Sequence, residues 1–258
     1  MSNDQIYQLN PQERFSDRAQ NYAKYRPSYP TAAIDCILAG LGESSQLVAA
    51  DIGAGTGISS RLLGDRGIRI TAIEPNTAMR QAAMLHPLVS FQDGNAENTE
   101  LPSNSLDLIT CFQSFHWFNL EPTIKEFARI LKPKGRIALV WNDRDINGDD
   151  EFTRQHNLII NQASNNSPIH SRLGGNSDLL IRSLFPKVER YTYPHQQAFT
   201  KDGLIGLALS ASYMPQTGRV YQELVKDLTA LYQTYCDRGG LVYLQYKTSV
   251  FLTSLISN

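Results

Sequence analysis

The sequence predicts an α/β fold organised around a mostly parallel sheet. Short β-branched apolar runs alternate with helix-like stretches through the first half. A glycine-rich turn directly follows the first of those runs. Strands alternating with helices of this length imply parallel strands joined by right-handed crossovers, with helices on both faces.

Each element has its own signal. "QLVAADI" is an apolar run ended by the glycine turn, and "ISSRLLGDR" then starts a helix. "IRITAIE" (Ile68 to Glu74) is the second strand, and Pro75 and Asn76 open the helix "PNTAMRQAAML". "LVSFQ" and "LDLITCF" (Leu106 to Phe112) are the third and fourth strands. In "NLEPTIKEFARILKPKG", Ile124, Phe127, Ala128 and Leu131 share a helix face, and Lys132, Pro133 and Gly135 stop it. "GRIALVW" is the fifth strand. Residues Glu151 to Ala163 read as a helix, and "SNNSPIHSRLGGNS" (164–177) as a polar surface connection. "VERYTYPHQQAF" is a sixth strand. Val220, Leu224, Leu228, Leu231 and Tyr235 mark a long amphipathic helix, and "LVYLQYKTSVFL" is the last strand. No internal repeat suggests a second domain. The expectation is one domain over 1–258, with an N-terminal helical segment at 1–45, a binding core at 46–145 and an acceptor-side region at 146–258.

With 258 residues the chain can bury a core without staples. Its 41% hydrophobic and 19% charged residues are those of an ordinary globular protein. A net charge of −1 gives no basic field for nucleic acid. Cys36, Cys111 and Cys236 are odd in number and widely spaced, which fits a reducing compartment rather than a disulfide framework. The polar start lacks a signal peptide's apolar segment, and no apolar run is long enough for a membrane span. A cytoplasmic protein without membrane insertion is expected. The five histidines lack metal-ligand spacing, so no metal is expected.

"DIGAGTG" (51–57) carries the chemistry. Three alternating glycines after a buried strand are poorly explained by packing alone. A P-loop is excluded because no Gly-Lys-Ser/Thr follows. In the dinucleotide fingerprint the third glycine comes one position later, where Ile58 stands here. Asp51, just before the turn, disfavours phosphate and suits a positively charged or hydroxyl-rich ligand.

"VAADIGAGTG" resembles the first motif of the class I S-adenosylmethionine-dependent methyltransferases. "QDGNAENTELPSNSLDLITCFQSFHWF" is similar to the stretch that follows the third strand in that family. "RFSDRAQNYAKYRPSYP" and "QSFHWF" are similar to its small-molecule members of the trans-aconitate methyltransferase kind. The resemblance implies a Rossmann-like, seven-stranded, mostly parallel sheet whose last strand is antiparallel. It implies S-adenosyl-L-methionine as cofactor, S-adenosyl-L-homocysteine as product and a small-molecule acceptor. It also implies a cofactor site. Asp51, Gly53, Ala54, Gly55 and Gly57 come from the turn, and Glu74, at the ribose, and Pro75 from the end of the second strand. Asn95, Ala96 and Glu97 lie near the adenine, and Gln113 belongs to the set. Apart from the resemblance, "YAKYRPSYP" has two readings: a lid in which Tyr22 faces the sulfonium and Arg26 a carboxylate of cofactor or substrate, or an amphipathic segment whose tyrosines pack on the sheet.

On the acceptor side the residues keep two readings each. His116 is the obvious base, or a hydrogen-bonded histidine in a packed loop. Trp117 lines the pocket or packs in the core. Tyr25 belongs to a lid over the ligands or to an amphipathic segment on the sheet. Arg144 meets the acceptor at the carboxyl end of the sheet or is a solvated loop residue. The expected reaction is in-line methyl transfer to a small molecule, with a carboxylate oxygen as acceptor. The rivals are C-methylation of a quinone-like acceptor, a nicotinamide oxidoreductase and a non-catalytic cofactor-binding protein.

Overall fold

The computed structural model describes residues 16–164, 177–185 and 187–254. The strands are β1 (Val48–Ile52), β2 (Arg69–Ile73), β3 (Val89–Gln92), β4 (Leu106–Phe112), β5 (Leu131–Arg144), β6 (Val188–Phe199) and β7 (Val242–Thr253). They form a 7-stranded sheet in the order β3-β2-β1-β4-β5-β7-β6. β1 pairs in parallel with β2 and β4, β2 with β3, and β4 with β5. β7 lies antiparallel between β5 and β6, so it alone is reversed.

Around the sheet run α1 (Ala19–Tyr25), α2 (Thr31–Leu38), α3 (Ile58–Gly64), α4 (Thr77–Gln81), α5 (Leu120–Ile130) and α6 (Glu151–Ala163). They are followed by α7 (Ser177–Leu184), α8 (Lys201–Leu209) and α9 (Gly218–Tyr235). Successive strand residues point to opposite faces, and both faces are buried, as a parallel sheet requires. Ala50, Ile109, Ile137 and Leu139 pack with Phe127 and Ile130 of α5. Ala49, Leu108, Ala138 and Val140 pack with Ala33, Ile34 and Ile37 of α2. A third cluster joins α6, α8 and α9 to Val242, Leu244 and Tyr246 at the start of β7.

Several boundaries depart from the sequence expectation. β5 begins at Leu131, which pairs with Leu106 before the register jumps to Leu108↔Arg136. The Lys132–Gly135 stretch is therefore an irregularity within a strand rather than a helix stop followed by a loop. Pro133 is tolerated there because no regular ladder bond is demanded of it, and Lys132 Nζ reaches both carboxylate oxygens of Asp107 at 2.8 Å. Ala128 is exposed, and the buried face of α5 is Thr123, Glu126, Phe127 and Ile130. Glu126 is tolerated there because it accepts from Thr99 and is clamped by Arg129, which holds its carboxyl down at about 2. α4 stops at Gln81, short of Leu85, which is 97% exposed. Val220 is exposed, so α9 buries Leu224, Leu228 and Leu231. α8 has no counterpart in the sequence reading. Most of the polar connection (165–176) lies outside the described residues.

Candidate active site

The glycine turn closes the carboxyl end of β1. Gly53, Gly55 and Gly57 take φ of +69°, +59° and +72°, a region that costs any other residue about 1–2 kcal/mol. Four of the turn's N–H groups are already used. Gly53 and Ala54 donate to Ile73 O at 2.9 and 3.1 Å, and Gly57 donates to Ala54 O at 2.9 Å. Gly55 N donates to Glu74 Oε2 at 2.8 Å. A phosphate loop aims such donors at its ligand; this one turns them to the end of β2 and to the turn itself.

Asp51 corrects the expectation of an open acidic rim. It is wholly buried and accepts from Ser59 Oγ (2.6 Å), Ser60 Oγ (2.7 Å) and Thr110 Oγ1 (2.9 Å). Burial pushes its pKa up, and the three hydroxyls oppose that. The carboxylate ties the first turn of α3 to β4 and presents no face to a ligand. Glu74 is also buried; its other oxygen, Oε1, accepts from Asn76 N at 2.9 Å. Pro75 between them is half-buried, and Asn76 caps α4 by accepting from Met79 N at 3.0 Å.

The next expected group is redirected as well. Asn95 Oδ1 accepts from Asn98 N at 2.8 Å, which closes a local turn. Ala96 lies in the core. Glu97 Oε1 accepts from Asn119 N at 2.7 Å, at the head of α5. These three side chains serve the turn and its anchorage and do not line the cavity described next. Tyr25 packs against α8, where a methyl group at Gly206 would overlap its ring.

A cavity of about 680 Å³ opens beside the glycine turn at the carboxyl edge of the sheet. It brings together eight expected residues: Tyr22, Arg26, Gly53, Ala54, Gln113, His116, Trp117 and Arg144. α1 roofs it. The Arg26 guanidinium stacks 4.8 Å from the centroid of Tyr22, and Tyr22 Cε1 would lie 3.6 Å from a methyl group at Gly55. Arg18 is hydrogen-bonded to the carbonyls of Ala211 and Met214, and Arg26 Nη2 reaches Ser210 O at 3.5 Å. The Nε of Arg26 is buried with no hydrogen bond among the described residues. Gln113 holds φ +54° at the end of β4 and donates to Asn142 O at 2.9 Å.

Burial drives His116 down to about 3, so its imidazole is neutral at physiological pH; its Nδ1 has no partner among the described residues. Its ring lies 5.1 Å from that of Trp117. Sequence reasoning missed Tyr246, Asn142, Asp143 and Arg190, which also line the cavity. Burial raises Asp143 to about 6 against the pull of Arg144 and Arg190. Lys247 is paired with Asp145 at 2.9 Å. No cluster of His, Cys, Asp and Glu positioned to hold a metal occurs among the described residues, and no helix there is long and apolar enough to cross a membrane.

Known proteins bear on this geometry. Residues 50–139 match the family model described as a methyltransferase domain. A Mycobacterium tuberculosis protein named as an uncharacterized methyltransferase is 31% identical over 240 residues, spanning 91% of this chain and 92% of its own. A methyltransferase-like protein of Schizosaccharomyces pombe is 34% identical over 133 residues, 51% of this chain and 52% of that one. Among solved structures, a provisionally named type II methyltransferase of Anaeromyxobacter dehalogenans superposes with a TM-score of 0.63 at 22% identity, covering 91% of this chain and 100% of that one. The Haemonchus contortus phosphoethanolamine N-methyltransferase 2, solved with S-adenosylhomocysteine, gives 0.53 at 14% identity, over 100% of this chain and 61% of its own. The parallel sheet with one reversed strand, the self-bonded glycine turn and the near full-length relative agree: the chain belongs to the class I S-adenosylmethionine-dependent methyltransferases.

Proposed function

We propose that the chain methylates a small anionic molecule at a carboxylate oxygen, by in-line displacement in the cavity beside the glycine turn. The observation that carries this reading is the charge of the cavity wall. Arg26, Arg144 and Arg190 face it with Asp143 as their counter-charge, while Lys247 and Asp145 neutralise each other. Guanidinium groups at a concave wall favour carboxylates through bidentate, charge-assisted bonds.

The residues also fit the cofactor. Tyr22 offers a ring face to a sulfonium, and the partnerless Nε of Arg26 suits a carboxylate. Glu74, fixed by two backbone N–H groups, has lone pairs left for ribose hydroxyls. When bound, S-adenosylmethionine supplies the electrophilic methyl group. What remains for the chain is to align the acceptor and exclude water, and such alignment is worth roughly 7–11 kcal/mol.

A carboxylate nucleophile needs no general base, and His116 makes a poor one. A group held at about 3 has little affinity for a proton at neutral pH. This weighs against C-methylation of a quinone-like acceptor, which requires a base. In this reading His116 and Trp117 shape the acceptor pocket. The test is a screen with methyl-labelled cofactor against polycarboxylates, monocarboxylates and phenols, repeated with His116→Asn. Label in a base-labile ester, with the variant within about ten-fold of wild type, is the expected result. Label only in phenols or ring carbons, abolished by His116→Asn, would overturn it. Binding of S-adenosylhomocysteine without turnover on any acceptor would favour the non-catalytic alternative.

A further inference from the structure

Asp143 lines the cavity at a place where β5 has outrun its parallel neighbour. β4 ends at Phe112, which pairs with Val140, and β5 runs on through Asp143 and Arg144. On the other side β7 sets Lys247 directly opposite Asp143, the usual arrangement for an ion pair across two strands. Lys247 Nζ is instead paired with Asp145 at 2.9 Å. The two arginines nearby are engaged elsewhere as well. Arg190 leaves the same face as Asp143, but its guanidinium lies over the Phe251 ring at 5.3 Å and donates to Ser249 Oγ at 3.4 Å. Arg144 leaves the opposite face and is hydrogen-bonded to Tyr246. Both arginines act on the Asp143 carboxyl through their charge and burial opposes them, while no hydrogen bond holds it among the described residues.

An ionised carboxylate is an acceptor alone, so what this one lacks is a donor. Two guanidiniums already act on the spot, and a further cation such as an ammonium would meet their repulsion. A hydroxyl brings a proton to donate and no charge, and a hydrogen bond to a charged acceptor is of the stronger kind. We propose that Asp143 is a specificity-determining residue of the acceptor site, its carboxylate accepting a hydrogen bond from a hydroxyl on the acceptor, which makes that acceptor a hydroxycarboxylate. The inference rests on the anionic-acceptor reading above and adds the group that tells the acceptor from its deoxy analogue.

Matched pairs that differ by one hydroxyl test this directly: citrate and tricarballylate, malate and succinate, lactate and propionate. Each is titrated by calorimetry into wild type and Asp143→Ala saturated with S-adenosylhomocysteine, and kcat/KM is measured on any that are methylated. Wild type should bind the hydroxylated member of its best pair about ten-fold tighter, equivalent to about 1.4 kcal/mol, and Asp143→Ala should bind both members alike. The ratio within a pair is the readout. Both members carry the same formal charge, so losing a negative charge from the wall moves them together. Asp143→Asn keeps an amide oxygen that can accept and should retain part of the ratio. S-adenosylhomocysteine affinity should be unchanged throughout. A ratio near one in wild type, or a ratio that survives in Asp143→Ala, would overturn the inference and leave the anionic-acceptor reading standing. So would tighter binding of aspartate than of malate, which gives the point to an ammonium. Weakened S-adenosylhomocysteine binding with the ratio intact would give it to the cofactor and overturn the inference too. If wild type binds and methylates no carboxylate, the anionic-acceptor reading fails and takes the inference with it.

Discussion

The two walls of the cavity are built on opposite plans. On the glycine-turn side the two carboxylates and four of the turn's backbone N–H groups find partners within the fold. The Thr56 hydroxyl alone of the turn's side chains is buried without one among the described residues. Asp51 holds three hydroxyls, Glu74 holds two backbone N–H groups, and the N–H groups of Gly53, Ala54, Gly55 and Gly57 bond to the chain itself. On the opposite side, Arg26 Nε and His116 Nδ1 are buried without a partner among the described residues. The first wall is largely bonded to itself before a ligand arrives. The second holds polar atoms that the fold leaves to a ligand. A methyltransferase uses one donor molecule and, across its family, many acceptors, and the contrast between the walls has the same division.

If the contrast is right, truncation on the first wall costs stability and truncation on the second does not. The largest effect is expected for Glu74→Ala, which leaves the N–H groups of Gly55 and Asn76 buried without acceptors. At about 1–3 kcal/mol per orphaned donor, denaturant unfolding should show a loss of about 2–6 kcal/mol, and calorimetry should show S-adenosylhomocysteine binding weakened more than ten-fold. Unchanged affinity would remove Glu74 from the cofactor site.

Gly53→Ala comes next. A methyl group there would sit 2.6 Å from Ser114 Cβ on top of the penalty for φ +69°, so a loss of about 2–3 kcal/mol is expected. Cofactor affinity should fall with it, and a variant that binds normally would show that the turn can re-form elsewhere.

Asp143→Asn should act in the reverse direction, and by less. Its folded pKa of about 6 lies above the ordinary value of 3.8, so the folded chain keeps a proton that the unfolded chain has released between those values. Stability from this group is therefore full below the lower value and lost as pH rises through the upper one. The substitution should raise the melting temperature near pH 7.5, by an amount equivalent to about 1 kcal/mol given the group's partial exposure, and change little near pH 4. Destabilisation at neutral pH would mean that the Asp143 carboxylate is stabilising where it stands, and would blur the contrast.

The first wall was legible in the sequence because its parts are local. The glycine turn, Glu74 at a strand end and the β-branched runs announce themselves within a few residues, and the seven strands follow from period and punctuation. Partners at a distance were not legible. "GNAE" read as a ligand contact, yet Asn95 and Glu97 serve a turn and the head of α5, which lies more than twenty residues downstream. Asp51 read as a rim because nothing in "ADIG" says that Ser59, Ser60 and Thr110 will surround it. Tyr246 looked like one more aromatic in an apolar strand. Only the β5–β7 register sets it opposite Arg144.

The roof has a consequence for how the protein comes into being. Arg18 meets Ala211 across 193 residues of chain, and Arg26 meets Ser210 across 184. Contacts so far apart carry the largest loop-closure cost and come late compared with the adjacent strand pairs of the core. On a ribosome the roof segment emerges well before residues 210–214 and then waits, because the carbonyls that anchor it belong to that later segment. The glycine turn can be shaped long before its cover is fastened, so the cavity becomes an enclosed space only after the segment around Ser210 has been made.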